Sequence, residues 1–351
     1  MKNLIIGGAG FIGTNATEYF VRKGEEVVVF DNLSRRGCTA NLDFLKTAYP
    51  EKVKFVYLDI RDSNDVLEKF SPHLKDSKLV LHLAAQVAVT TSVTNPREDF
   101  KINAEGTFNL LEALRKHNIT TGENPSFIYS STNKVYGKMD HLPIVKKETQ
   151  YDYKSLPKGI SEETPLDFYS PYGCSKGTGD QYVRDYARIY GLDTVVARQS
   201  CIYGPHQFGV EDQGWLAWFA ICNALDKQTT IYGDGKQVRD ALFVKDLVRA
   251  YDMIAENIPS TRGQVYNLGG GVANKLSVLD LVSKIENISR KKMNPIFGDW
   301  RPGDQKVCIM DISKAKRDFG WEPQVNLDEG IVIMYNWISH HDHQIKSFLG
   351  I

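Results

Sequence analysis

The 351-residue sequence predicts an α/β chain: a doubly wound, Rossmann-like parallel sheet with a smaller, interleaved C-terminal substrate-binding lobe. Two features lead there. Through the first 200 residues, short apolar runs alternate with amphipathic stretches, the rhythm of strand–helix–strand units whose strands lie parallel. The first run, residues 3–6, passes straight into Gly7-Gly8-Ala9-Gly10-Phe11-Ile12-Gly13, and the next run closes on an acid, Asp31.

Each element has its own reason. Gly7, Gly10 and Gly13 let the backbone approach a pyrophosphate, and a helix beginning at Phe11 and Ile12 turns unpaired N–H groups toward its charge. Phe11, Ala16, Phe20 and Val21 mark the side of that helix to be buried. Strand 26–30 ends at Asp31, about twenty residues past the glycines, the spacing of a dinucleotide fold. A carboxylate there binds the adenosine ribose hydroxyls and repels a 2′-phosphate, favouring NAD over NADP; Arg35 and Arg36 nearby could screen such a phosphate. Strand 52–58 ends at Asp59-Ile60, a position that lines an adenine. Strand 79–83 ends in Leu83-Ala84-Ala85-Gln86, where small side chains let backbone lie against a nicotinamide ribose; His82, inside it, reads as a packed core residue. A helix is predicted over 100–116, its apolar face interrupted by Asn103 and Gly106, and then a strand over 126–130. Ligands of such sheets bind beyond the carboxyl ends of the strands, where Asp31, Asp59, Ala84 and Thr132 all fall.

Composition narrows the class. Lysine plus arginine and aspartate plus glutamate both number 43, without long runs of either sign, so bulk charge predicts neither nucleic-acid nor membrane-surface binding. No apolar run approaches the ~20 residues that span a bilayer, and glycines begin too early for a signal peptide. The five cysteines are scattered, and His340, His341 and His343 sit in a frayed-looking tail, so neither a metal site nor a disulfide framework is expected. The expectation is a cytoplasmic enzyme with reduced thiols.

Its chemistry is carried by Ser131-Thr132 and by Tyr172-x-x-x-Lys176. Residues i and i+4 share a helix face, so phenol and ammonium can meet in one pocket. A phenol loses its proton near pH 10, and a neighbouring ammonium is expected to lower that value. Thr132 can donate a hydrogen bond to a substrate oxygen, Tyr172 can shuttle a proton, and Lys176 can bind the nicotinamide ribose. The set suits hydride transfer at an alcohol carbon.

In the second half, strands over 194–198, 229–232 and 264–268 and helices from Trp215, over 277–286 and over 327–338 are expected. Residues 1–200 form the dinucleotide part, with later segments returning to it, and residues 201–351 form mainly the lobe. Arg239 and Arg301, each read as lying in a loop, offer bidentate contacts to phosphate; the competing reading is an ion pair with Asp240 or Asp304. Trp215 and Trp300 flank either a base or sugar, or the core.

The glycine turn, Asp31, Ser131-Thr132 and Tyr172-x-x-x-Lys176 together resemble the extended short-chain dehydrogenase/reductase family, which acts on nucleotide sugars, over nearly the whole chain. Within it, Asp31 to Gly37, Ser131 to Gly137, Ser170 to Lys176, Cys201 to Pro205 and Glu211 to Trp215 are most similar to the branch that epimerises CDP-hexoses at C2. The resemblance implies NAD as cofactor, held also by Asn32, Ser34, Arg35, Ile60, Leu83, Gln86, Asn103, Ser130 and Ser131. It implies a nucleotide-diphosphate sugar, CDP-hexose favoured, held by Val89, Thr132, Asn133, Gln213, Arg239 and Arg301, and a homo-oligomer, dimer or tetramer. Dehydratases of the family carry Asp-Glu after the Thr. Asn133-Lys134 stands there instead, which removes the acid that elimination needs. A 4-epimerase shares the triad, and a catalytically silent NAD-binding scaffold is disfavoured because the triad is intact. His206 stands where the resembled epimerases often have Arg.

Overall fold

In the computed structural model, which describes residues 2–301 and 304–351, seven parallel strands form one sheet. They are β1 (Lys2–Ile6), β2 (Glu26–Asp31), β3 (Val53–Tyr57), β4 (Ser77–His82), β5 (Ser126–Thr132), β6 (Thr194–Gln199) and β7 (Val265–Leu268), in the order β7-β6-β5-β4-β1-β2-β3. Side chains alternate across a strand, and both faces here are covered. Ile5, Val27, Val29, Leu79, Leu81 and Ile128 pack under helices Phe11–Arg22 and Val244–Glu256. Leu4, Ile6, Val28, Phe30, Val80 and Phe127 pack under helices Gly106–Thr121 and Pro171–Tyr190. Burial on both faces explains why these strands read as unbroken apolar runs. The chain reverses direction of winding between β1 and β4, and a crevice opens there at the strands' carboxyl ends.

The lobe is built on strand Val238–Phe243. It pairs parallel with Val307–Cys308 and with Cys201–Tyr203, and antiparallel with Lys275–Ser277. A hairpin of Ile144–Lys146 and Tyr151–Tyr153, early in the chain, packs there too, sharing an apolar cluster with Val307 to Met310. In the other direction, β7 comes from the late chain, and Trp321 is buried beneath the sheet.

Three expectations change. Arg239 lies on a strand rather than in a loop, because its neighbours pair on both sides. The single helix over 100–116 is two: Pro96–Phe100 and Gly106–Thr121, joined by a wide π-helical turn, Lys101–Glu105. Gly106 follows that turn because a Cβ would stand 2.7 Å from the Ile60 side chain. The histidine tail is not frayed: helices Leu327–His340 and Asp342–Leu349 run through it, His341 stacks on Trp337 and Ile345 is fully buried. Among the described residues, no helix is long and apolar enough to cross a membrane and no cluster of ligating side chains could hold a metal ion.

Candidate active site

Two joined clefts lie along the sheet's carboxyl edge, sharing Val87 and Gln213 in their walls. The first is made by the glycine turn. Gly7 sits at φ 81°, and its N–H donates 2.7 Å to the Phe30 carbonyl, tying the turn to β2. A Cβ on Gly13 would run into the Gly7 carbonyl and Gly8, so only glycine lets helix Phe11–Arg22 start this close. Gly10 caps that helix without a side-chain hydrogen bond, leaving its first N–H groups to the cleft.

Asp31 is fixed before any ligand arrives. One oxygen accepts the Ala9 N–H at 3.1 Å and the other the Leu33 N–H at 2.8 Å. Burial nevertheless pushes its pKa up, against those two bonds and the pull of Arg35. Asn32 donates to Asp59 at 3.2 Å, and Asp59 is held ionised by Arg61, 2.5 Å away, whose hydrogen bonds lower its pKa. A carboxylate on a backbone cradle, a glycine turn that a methyl group would fill and an open helix N-terminus fit a dinucleotide. Gly7, Gly10, Phe11, Ile12, Gly13, Asp31, Asn32, Ser34, Arg35, Asp59, Ile60, Leu83, Ala84 and Ala85 all line this cleft.

Gln86, Asn103, Ser130, Ser131 and Lys176 are absent from its lining and stand behind it as a frame. The π-helical turn aims Asn103 at the end of β4: its amide accepts the Gln86 N–H at 3.0 Å and donates to the Gln86 carbonyl at 3.1 Å and to Ser175 at 3.1 Å. Ser131 donates 2.7 Å to buried Asp180, which also binds Arg198. Ser130 accepts from Gln199 at 2.9 Å. His82 is the core residue expected, buried and 2.9 Å from the Thr107 hydroxyl, its pKa pushed well down by burial.

Cys38, Asn41, Gln207 and Phe208 line the cleft and escaped the sequence reading, and Arg36, Gly37 and His206 line it as well. Asn41 donates to the carbonyls of Ala9 (3.2 Å) and His206 (3.3 Å), stitching the glycine turn to the lobe. Gly37, at φ 87°, leaves room for the Phe208 ring. The positive φ suits a glycine, which was a usable signal; the approach of Phe208 from 171 positions away was not. His206 lies at the dinucleotide end, against Phe44 and Trp337, and burial lowers it to about 4, so it is no substitute for a cationic nucleotide contact.

The second cleft gathers every expected substrate residue: Val89, Thr132, Asn133, Gln213, Arg239 and Arg301, with Tyr172 between the two clefts' functions. The ion-pair reading holds for Arg239, which donates 2.6 Å to Asp304 and 2.6 Å to the Gln305 carbonyl; Asp240 instead faces Ser200 and the Gly271 N–H. Arg301 lies 3.2 Å from Asp212, with its guanidinium 3.9 Å above the Tyr232 ring. Arg35 donates 3.0 Å to Gln213, bridging the clefts. Trp215 lines the second cleft, while Trp300 packs over Gly233 outside it.

Tyr172 and Lys176 share one face of helix Pro171–Tyr190, near its start, and both are buried. Ser170 caps this helix by accepting the Gly173 N–H at 3.2 Å, and Pro171 occupies its first position. The electrostatics depart from expectation. Burial raises the Tyr172 phenol to about 12, outweighing the Thr132 hydroxyl and Arg35, which pull it down. Burial also lowers Lys176 to about 7, against the carboxylates Asp180 and Asp99. Desolvation disfavours both charged forms, and on the phenol it outweighs the lowering expected from the neighbouring ammonium. The Lys176 Nζ sits 4.2 Å over the Tyr129 ring.

A dinucleotide cleft thus opens onto an arginine-lined one, with a Thr–Tyr–Lys set at the junction. Residues 4–334 match the family described as GDP-mannose 4,6 dehydratase. The chain belongs to that family, the NAD-dependent epimerases and dehydratases of the extended short-chain dehydrogenase/reductase class. It is 45% identical over 344 residues to CDP-paratose 2-epimerase of Salmonella typhi, covering 97% of this chain and 99% of that protein. To a dTDP-glucose 4,6-dehydratase of Escherichia coli it is 33% identical over 354 residues, covering 96% and 93%. Among solved structures, UDP-glucuronic acid 4-epimerase from Bacillus cereus, in complex with UDP-glucuronic acid and NAD, superposes with a TM-score of 0.81. That pair shares 29% identity, over 97% of this chain and 99% of that one.

Proposed function

We propose that the protein is an NAD-dependent isomerase that epimerises a nucleotide sugar, taking a CDP-hexose of the paratose/tyvelose type and inverting C2. The carrying observation is the pairing in one cleft of Thr132 and Tyr172 with Asn133 and Lys134, where dehydration would need carboxylic acids. The 45% identity to a CDP-paratose 2-epimerase over nearly the full length supports the substrate class, and the S. typhi source of that relative fits a place in O-antigen sugar synthesis.

An unactivated alcohol carbon does not release a proton directly, so inversion there needs oxidation and re-reduction. NAD, held by the first cleft, supplies the hydride acceptor and donor. The protein's own share is proton handling and positioning. Tyr172, as phenolate, takes the proton of the sugar C2 hydroxyl when that carbon is oxidised and returns it from the phenol when the carbonyl is reduced, and Thr132 donates to the same oxygen. Lys176 binds the nicotinamide ribose beside the phenol. Arg239 and Arg301 hold the diphosphate, so affinity rests on the nucleotide and the 2-keto ring is free to present its other face.

The test incubates the protein with CDP-, UDP-, GDP- and dTDP-sugars in heavy water and identifies products by NMR. Inversion at C2 of a CDP-sugar with no solvent deuterium at that carbon is expected; substantial incorporation refutes hydride transfer. Inversion at C4 of a UDP-sugar would establish the second reading, which the likeness to the B. cereus 4-epimerase supports.

The partner is a second copy of this chain, in a dimer or a tetramer built from such dimers. Helices Pro96–Phe100, Gly106–Thr121 and Pro171–Tyr190 carry an exposed apolar face, with Phe100 55%, Phe108 43%, Tyr182 46% and Ile189 66% exposed. The five free cysteines suit a reducing cytoplasm.

A further inference from the structure

The second cleft holds three cations, and their accounts differ. Arg239 is committed to Asp304 and to two carbonyls, Val238 at 2.8 Å and Gln305 at 2.6 Å. Arg301 is committed to Asp212, to the Glu211 carbonyl at 3.3 Å and to the Tyr232 ring. Lys134 has no such partner. It stands in the short turn Asn133–Tyr136 that follows β5, where its N–H donates 3.2 Å to the Thr132 hydroxyl. Its ammonium donates 3.1 Å to the neutral Gln305 side chain, which in turn is anchored on the Gly137 carbonyl. Among the described residues no carboxylate pairs with it, since Asp304, the acid that faces it, is taken by Arg239.

Two cations therefore stand in a cleft wall whose nearby carboxylate is bound to one of them, with the thiols Cys308 and Cys201 as the other titratable neighbours of Lys134. Burial, then Arg239, lowers the lysine's pKa. An ammonium has three donors, and only one is used here. Taking a charge out of water is costly unless an opposite charge meets it.

We propose that Lys134 is a phosphate-binding residue of the substrate site, its ammonium donating to an anionic oxygen of the nucleoside diphosphate alongside Arg239. This rests on the nucleotide-sugar reading above and adds to the two arginines, each already paired with an acid, a cation that is not. It also gives a positive role to the side chain that stands where a dehydratase would carry an acid.

The experiment measures binding of CDP and of cytidine, by calorimetry, to the NAD-loaded enzyme and to its Lys134→Met and Lys134→Gln variants. Lys134→Gln keeps a donor for Gln305 without the charge and guards against a folding defect, with melting temperature and NAD affinity as controls. The expected result is that both variants lose about tenfold or more of the CDP-over-cytidine preference, the scale of a charge-assisted hydrogen bond, with NAD affinity unchanged. An unaltered preference in either well-folded variant overturns the proposal. Failure of the wild type to bind CDP, UDP, GDP or dTDP at all overturns it together with the nucleotide-sugar reading, a result distinct from the first.

Discussion

Lys176 shows how a site residue can oppose the fold that holds it. Its folded pKa of about 7 lies below the value near 10.4 of an exposed lysine. Between those values the unfolded chain binds a proton that the folded chain does not, so stability rises with pH across that window, and the penalty is complete below about pH 7. In cofactor-free protein, Lys176→Met should therefore melt above the wild type near neutral pH, the gap closing toward about pH 10, while turnover is lost. A gap independent of pH would mean the lysine is not desolvated. Tyr172 is the complementary case: burial holds the proton on its phenol, pushed up to about 12, so that proton must leave before the side chain can serve as a base. Tyr172→Phe should lower kcat about a hundredfold or more, a general-base contribution, with nucleotide binding retained; near-normal kcat would move the role elsewhere.

At the scale of elements, helix Pro171–Tyr190 is held to the sheet at Gly179, where a Cβ would stand 2.5 Å from the Tyr129 hydroxyl and 3.3 Å from that of Thr107. The Tyr129 hydroxyl donates 3.2 Å to the Lys176 carbonyl, so helix depth and lysine position are coupled. Gly179→Val should cost about 1–3 kcal/mol by overpacking, read from urea unfolding, and should lower kcat by shifting Lys176. A stable variant with full kcat would uncouple the two. The Tyr172/Lys176 spacing was readable because helix periodicity is local. The π-helical turn at Lys101–Glu105 was not, because it exists to aim Asn103 at Gln86 and Ser175, partners contributed by other elements. Arg239 was misplaced for the same reason: nothing near Val238 in sequence announces the strands at Lys275 and Val307 that pair with it.

The whole molecule interleaves its chain: β7 returns to the sheet after the lobe has begun, and the Tyr151–Tyr153 hairpin joins the lobe before the sheet is complete. Asn267 on β7 ties the parts together, donating 3.0 Å to the Ile160 carbonyl and accepting 2.7 Å from the Tyr136 hydroxyl. The exposed apolar face of Phe100, Phe108, Tyr182 and Ile189, proposed above to meet a second copy, belongs to this scale. Phe108→Glu should shift sedimentation velocity toward the monomer; an unchanged oligomer would place the interface on another face.

The amino-acid order alone determined the parallel sheet, the dinucleotide turn, Asp31 and the Thr132–Tyr172–Lys176 set. Each rests on a short-range rule: period-2 and helical spacing, glycine's freedom at Gly7 and Gly13, and strand ends that open on a crevice. Only the tertiary structure decided which charges are free to act. It buried Lys176 and Tyr172 together, assigned Asp304 to Arg239 and Asp212 to Arg301, and left Lys134 without an acid. Desolvation and ion pairing depend on distances between residues far apart in the chain, which no local pattern records.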